Sequence, residues 1–225
     1  MFKWLRGTEV HQTWPIRLHG LTPLGDPIVL RPLRVVDERE FFAVRRTNVE
    51  WLAPWDATAP RPSSASRRFA DMVAAQEEEA RAGVSVPLAI ELDGALVGQV
   101  NVSNIARGSL WSCVVGYWVT EQVAGRWITP TAVALVGDYC LAALGLHRIE
   151  INIRPENTAS LAVVRKLGFR DEGMRRKYLH IDGDWRDHRS FALTTEDLAG
   201  QTLMTRLTQL SQPSLWRHTD PAPRA

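Results

Sequence analysis

The spacing of apolar residues changes several times along this chain, and each change marks an element. Residues 1–27 carry Pro15, Gly20, Pro23, Gly25 and Pro27, so they are read as a turn-rich extension draped over a domain. The apolar run Ile28–Leu33 is the first expected strand. Asp37 is placed to cap a short helix through about Arg46, with Phe41, Phe42 and Val44 facing inward. The prolines of Trp51–Pro60 make that stretch a loop. A second helix opens within Ser63–Ser66, sets Phe69, Met72 and Val73 at three- and four-residue spacing, and ends near Gly83.

Strand-like runs follow. Val86–Leu92 meets Asp93-Gly94, a strong hairpin signal, and Ala95–Ser103 returns. Leu110–Thr120 comes after the Arg107-Gly108 turn, completing an antiparallel meander. From Pro130 the period becomes helical through Ala132, Val133, Val136, Tyr139, Cys140 and Ala143, with Gly145 at the C-cap position. The strand His147–Arg154 leads to a helix at Thr158–Leu167, stopped by Gly168. Strands Phe169–Tyr178 and Trp185–Leu193 flank an Asp182-Gly183 turn, and a polar helix closes the domain at Thr195–Leu210. This order predicts an α/β fold: a mixed central sheet, antiparallel in its N-terminal meander, with a parallel pair in the middle and helices on its flanks. Residues 1–27 are then an extension, 28–195 the domain, and 196–225 a C-terminal helix with a flexible tail.

Composition narrows the function. The 225 residues suit one larger domain, or one domain with decorations. Their 27 basic and 25 acidic side chains nearly cancel, which argues for neither a nucleic-acid nor a membrane partner. Met1–Val10 contains no uninterrupted apolar stretch of the secretory kind, and nowhere is there a membrane-length apolar run. Cys113 and Cys140 lie in apolar segments and are expected to be buried thiols, which suits a reducing cytoplasm. His11, His19, His147, His180, His188 and His218 are scattered, so no metal site is expected.

The segment Glu121–Pro130 joins a strand to a helix. Thr129 is a good N-cap, and Pro130 suits the first helical position. A glycine-containing turn before a helix N-terminus suits an anion such as a pyrophosphate, although many such units only connect. In this segment Gln122, Gly125 and Trp127 occupy the three positions of the Arg/Gln-x-x-Gly-x-Gly/Ala motif. Here the chain resembles the GNAT acetyltransferases. Arg154–Ser160, Leu167–Gly173 and Tyr178–His188 are similar to the RimJ/RimL-type branch, which acetylates protein N-termini. The resemblance covers about residues 28–195. It implies acetyl-CoA as co-substrate, no metal, and a cofactor site at Val119, Gln122, Val123, Ala124, Gly125, Arg126, Trp127, Ile128 and Thr129, continuing at Asn157 and Ser160. Trp127 departs from the small residue the family prefers. Its indole either obstructs the loop or packs outward beside the helix.

Acetyl transfer to an amine needs a base, donors for the carbonyl oxygen and help for the departing thiolate. In His147–Arg154 the residues Arg148, Glu150, Asn152 and Arg154 share one face, which is either a wet cleft or a ring of satisfied polar groups. Asn152 stands where related enzymes often carry a basic glutamate. An amide can only orient, which leaves Glu150 as the candidate base. Asn157 has the look of a helix N-cap. The resemblance gives Ser160 the role of donor to the leaving sulfur, since Val164 occupies the usual tyrosine position. Asn48, Trp51 and Trp55, with Tyr178 and His180, are candidates for the acceptor side; the tryptophans either line a groove or form a lid packed on the core. The acceptor is read as a peptide or protein N-terminus because the loop 48–62 offers only Glu50 and Asp56 to a polycation, and the resemblance implies a ribosomal protein as a candidate. A small amine, or acyl-CoA binding without catalysis, are the alternatives. Both a monomer and a homodimer are compatible with the sequence.

Overall fold

A computed structural model describes residues 14–61 and 68–210; the expected helix opening at Ser63–Ser66 and the tail from Gln212 lie outside the described residues. Eight strands form one sheet in the order β1-β2-β3-β4-β5-β6-β8-β7. They are β1 (Leu18–Leu21), β2 (Pro27–Arg31), β3 (Val86–Leu92), β4 (Ala95–Ala106), β5 (Ser112–Val119), β6 (Arg148–Ile153), β7 (Arg170–Ile181) and β8 (Asp184–Thr194). The helices are α1 (Glu38–Thr47), α2 (Val49–Leu52), α3 (Phe69–Arg81), α4 (Ile128–Asp138), α5 (Thr158–Leu167) and α6 (Leu203–Leu210). As the order of elements predicts, the sheet is mixed. β5 and β6 pair in parallel, and all other neighbours are antiparallel.

Part of the expected extension is a strand. β1 pairs with β2 across a turn in which the Thr22 hydroxyl accepts hydrogen bonds from the Leu24 and Asp26 amides (3.2 and 3.1 Å) and Gly25 sits at φ +90°. The short Leu-His-Gly-Leu run lacks a strand's usual apolar alternation, which hid it. The β7–β8 hairpin has Asp182 and Gly183 both at positive φ, +49° and +78°, as a tight two-residue turn demands. The closing helix also differs. A single 3-10 turn at Glu196–Leu198 breaks at Ala199 and Gly200, both left-handed, before α6 begins. α6 is capped from another helix: Asp138 on α4 accepts from the Leu203 and Met204 amides at 2.7 and 3.1 Å.

Two apolar clusters cover the two faces of the sheet. The larger joins the strands to α4, α5 and α6 and includes Cys113 and Cys140, both free and buried. The smaller holds Leu33, Phe69, Val73, Ala89 and Leu96, with Phe41, Val44 and Trp118 packed on it, under α1 and α3. A register shift beside Ile90 and Glu91 leaves Val97 as the extra residue of β4. Val100 and Val102 therefore join the larger cluster, while Gln99, paired with Ala89, points to the smaller one.

Asp37 precedes α1, but its carboxylate does not cap the helix. It accepts instead from the Arg34 amide (2.8 Å) and from Arg31 (2.6 Å); Arg31 also bonds Glu91. Arg31 and Asp37 are buried, at 4% and 3% exposure. Burial alone raises a carboxyl pKa, but the hydrogen bonds from Arg34 and Arg31 outweigh it and hold Asp37 below its ordinary value. Removing one partner of such a pair leaves a buried charge poorly compensated. Asp37→Ala is therefore expected to destabilise the fold by about 3 kcal/mol in urea titrations, the low end for a broken buried pair because Glu91 still holds Arg31.

Candidate active site

β5 and β6 pair over three positions only, Ser112↔Arg148, Cys113↔Ile149 and Val114↔Glu150. Beyond them β5 stays paired with β4 as far as Val119, and β6 stays paired with β8 as far as Ile153. The sheet therefore opens between the two strands. A cavity of about 530 Å3 occupies the opening. Its lining comes from both faces of the sheet. Trp51, Leu52, Trp55, Asp56, Asn101 and Trp118 line it on the α1–α2 side; Tyr117, Val123–Gly125, Trp127–Pro130 and Glu156–Ser160 line it on the α4–α5 side. Successive residues of a strand point to opposite faces, so Tyr117 and Trp118 diverge into different clusters while both border the cavity.

On the α4–α5 side the turn before α4 has anion-binding character. Gly125 lies at φ +81°, and a Cβ built on it meets nothing within 4 Å. The helix begins two residues earlier than expected. Its N-cap is Trp127, at φ +64°, rather than Thr129, and the Trp127 carbonyl accepts from the amide and hydroxyl of Thr131 at 3.0 and 2.8 Å. A left-handed tryptophan is costly and needs its surroundings to hold it. The indole packs partly on the larger cluster and lies under Lys166, whose Nζ is 4.5 Å from the ring centroid. Trp127 thus borders the cavity while its ring bridges α4 and α5. Ile128 and Thr129, in the first turn of α4, have no carbonyl one turn back within the helix, so their amides are available to a phosphate. Gln122 and Arg126 are exposed and outside the lining; Arg126 instead bonds Asp26 at 2.6 Å.

Asn157 caps α5, its Oδ1 accepting from the Ser160 amide at 2.9 Å. The cap uses only the backbone of Ser160, whose side chain borders the cavity. Tyr117 is the polar neighbour that the sequence did not reveal. Burial pushes its phenol pKa well up; the nearby Ser160 side chain opposes this, but it does not meet the hydroxyl in hydrogen-bonding geometry, and no other described residue does. A tyrosine between Val115 and Val119 on the core face of β5 is the signal that was available. Asn101 Oδ1 is likewise buried and unpartnered among the described residues. Its signal is the alternation of Gln99 and Asn101 with Val100 and Val102 along an inner strand.

On the α1–α2 side Trp51 donates from Nε1 to the Val119 carbonyl at 3.0 Å, and Trp55 lies beneath Arg154, 5.5 Å from its guanidinium. Both border the cavity, so the groove reading describes them better than a lid sealed on the core. Asp56 is bound to Arg45, and Glu156 to Arg154. Asn48 is not at the cavity. It is buried, donates to the Val44 carbonyl and accepts from the Glu121 amide, tying α1 to the turn after β5.

The remaining candidates are also elsewhere. The polar face of β6 carries an ion-pair network in place of a wet cleft. Glu150 sits between Arg148 and Arg175, each at 2.9 Å, while Arg148 and Arg170 both bind Glu172. Asn152 Oδ1 accepts from Ser190 at 2.6 Å, and neither Glu150 nor Asn152 lines the cavity. Tyr178 packs between Arg175 and the buried His188, whose imidazole pKa burial lowers. His180 meets Thr58 and Trp185. Among the described residues no three His, Cys, Asp or Glu side chains gather as a metal site, and no helix is long and apolar enough to cross a membrane.

Comparisons with known proteins agree with this arrangement. The family model of an acetyltransferase (GNAT) domain matches residues 28–170. The chain is 31% identical over 180 residues to the probable N-acetyltransferase YjcK of Bacillus subtilis, covering 77% of this chain and 97% of that protein. It is 38% identical over 102 residues to the ribosomal protein uS5-alanine N-acetyltransferase of Escherichia coli, covering 45% of this chain and 53% of that enzyme. The solved structure of Mycobacterium smegmatis RimJ in complex with CoA-disulfide superposes with a TM-score of 0.81 at 37% identity, covering 88% of this chain and 95% of that one.

The ion network on β6 has a pH signature. Hydrogen bonding from Arg148, assisted by Arg170, lowers the Glu172 pKa to about 2. A depressed folded-state pKa adds stability above the ordinary carboxylate value of 4.5, and this is lost as pH falls towards 2. Glu172→Gln is expected to flatten the acid limb of a melting-temperature profile over that interval and to leave acetyl-CoA affinity unchanged. Trp127→Gly removes both a strained φ and a packed indole. The lost packing is expected to win, lowering stability by about 1–2 kcal/mol in chemical denaturation.

Proposed function

This chain belongs to the GNAT acetyltransferase family and is an acetyl-CoA-dependent N-acetyltransferase, and from that premise we propose that its acceptor is the N-terminal α-amine of a protein, a ribosomal one by analogy with its relatives. The observation that carries this reading is the cavity through the sheet, open to two different surroundings. The α4–α5 side suits a pyrophosphate: a glycine turn with open space at Gly125, the first turn of α4, and the cationic Lys166. The α1–α2 side offers Trp51 and Trp55. The carboxylates of the lining, Asp56 and Glu156, are already paired with arginines, a poor arrangement for a polycation and an adequate one for a single amine on a peptide.

Acetyl-CoA supplies an acyl group activated as a thioester. The amine attacks it directly, and no covalent intermediate on the enzyme is needed. The turn at Val123–Thr129 holds the phosphates, Asn157 sets the first turn of α5, and Ser160 Oγ is placed by that turn to donate to the departing sulfur. Glu150, neutralised by two arginines and off the cavity, is not assigned the proton; the amine loses it to water.

Calorimetry with acetyl-CoA, followed by mass spectrometry of a peptide panel, tests the reading. Acetylation at peptide α-amines is expected; turnover of polyamines alone, or binding without turnover, would overturn it. Gly125→Val is expected to weaken acetyl-CoA binding about tenfold, because valine strains the left-handed backbone and fills the phosphate turn. Ser160→Ala is expected to cut kcat roughly ten- to a hundredfold at unchanged acetyl-CoA affinity, the loss of one hydrogen bond made mainly in the transition state. Its melting temperature should hold, since the Asn157 cap engages only the Ser160 amide.

A further inference from the structure

Two buried polar atoms border the cavity without a hydrogen-bond partner among the described residues: the Tyr117 hydroxyl and Asn101 Oδ1. An unmade hydrogen bond in a buried setting costs free energy, so each such group calls for a reason. Tyr117 is on β5, at the opening, and Asn101 is on the neighbouring β4, one ladder step away. Asn101 pairs with Gly116, and Val100 pairs with Tyr117. Because side chains alternate along a strand, they project from opposite faces of the sheet: Asn101 towards the tryptophans of the α1–α2 side, Tyr117 towards α4 and α5. Gly116, opposite Asn101, also lines the cavity, and a Cβ there would meet nothing within 4 Å, so the space beside Asn101 on that face is open.

We propose that Asn101 and Tyr117 are a pair of catalytic residues acting on the two reactants from the two sides of the sheet. Resting on the acetyltransferase reading, the pair locates the reacting centre at this ladder step. Asn101 Oδ1 accepts a hydrogen bond from the attacking amine and so turns its lone pair to the thioester. Tyr117 donates a hydrogen bond to the thioester sulfur, beside Ser160. As the C–N bond forms, the C–S bond breaks and its electron pair goes to sulfur. The surplus proton on nitrogen goes to water, and the thiolate later takes a proton from water. Tyr117 keeps its own proton throughout. A phenol in this buried position is suited to that: it remains a neutral donor at pH values where a thiol ionises.

The test separates the two residues and does not rest on turnover alone. Y117F is expected to lower kcat about tenfold with the acceptor KM unchanged, the rate equivalent of one lost hydrogen bond. Its melting temperature should be equal or higher, because an unsatisfied hydroxyl is removed. Native protein should bind CoA more tightly at pH 9.5 than at pH 7, as the bound thiol ionises. Y117F should lose that difference, while desulfo-CoA binds native and variant alike at both pH values. Asn101→Ala should raise the acceptor KM about tenfold and leave acetyl-CoA affinity unchanged, and Asn101→Asp, which keeps an acceptor oxygen, should recover most of it. A Y117F protein with native turnover and native pH dependence of CoA binding overturns the proposal, and so does an Asn101→Ala protein with a native acceptor KM. If the native protein acetylates no peptide, the acceptor reading has failed, and the CoA and desulfo-CoA titrations decide the role of Tyr117 independently.

Discussion

The site exists because two parallel strands stop pairing. β5 and β6 share three ladder positions and then part, each still paired on its far side. Backbone N–H and C=O groups facing such a gap need partners from elsewhere. Trp51 supplies one, donating its indole N–H to the Val119 carbonyl. The same contact brings α2 over the opening, so one hydrogen bond both satisfies the strand end and sets a wall of the cavity.

Packing on the two faces keeps the gap open. α4 and α5 are fixed to the larger cluster through Ile128, Val133, Leu161 and Val164, and α6 locks onto α4 through Asp138. On the other face, the extra residue Val97 reverses the alternation in β4, which brings Gln99 and Trp118 together at 3.1 Å on the side of the smaller cluster. Without that reversal the polar residues of β4 would point into the core shared with α4.

Charge is arranged so that the cavity keeps few uncompensated groups. The carboxylates in and around it are each held by arginine: Asp56 by Arg45, Glu156 by Arg154, Glu150 by Arg148 and Arg175. What remains is mostly apolar wall with a handful of neutral hydrogen-bonding groups. In such surroundings a neutral donor or acceptor has more effect on a reacting group than it has in water.

Much of the architecture was legible in the sequence, since it follows from local periodicity and turn chemistry. Val86–Leu92 and Thr158–Leu167 have the bounds their patterns predict, and Asp93-Gly94, Gly168 and Asp182-Gly183 turn the chain where left-handed residues are needed. The glycine turn was also readable, as glycine and proline act on their own backbone; the first residue of its helix was not, because the left-handed cap falls on Trp127, whose indole packs on the core and under Lys166 of another helix. β1 became a strand only through β2, and Asp37 left its capping role for Arg31, a residue held in place by the sheet. Glu150, Asn48, Tyr178 and His180 have suitable chemistry, but each is engaged by other groups away from the cavity. Tyr117 and Asn101 ran the other way, ordinary residues of inner strands until the cavity at the parting of β5 and β6 brought both to its lining. Local patterns determine which element a residue joins. Whether its side chain meets a reactant or an arginine depends on contacts between distant segments, and these only the tertiary structure decided.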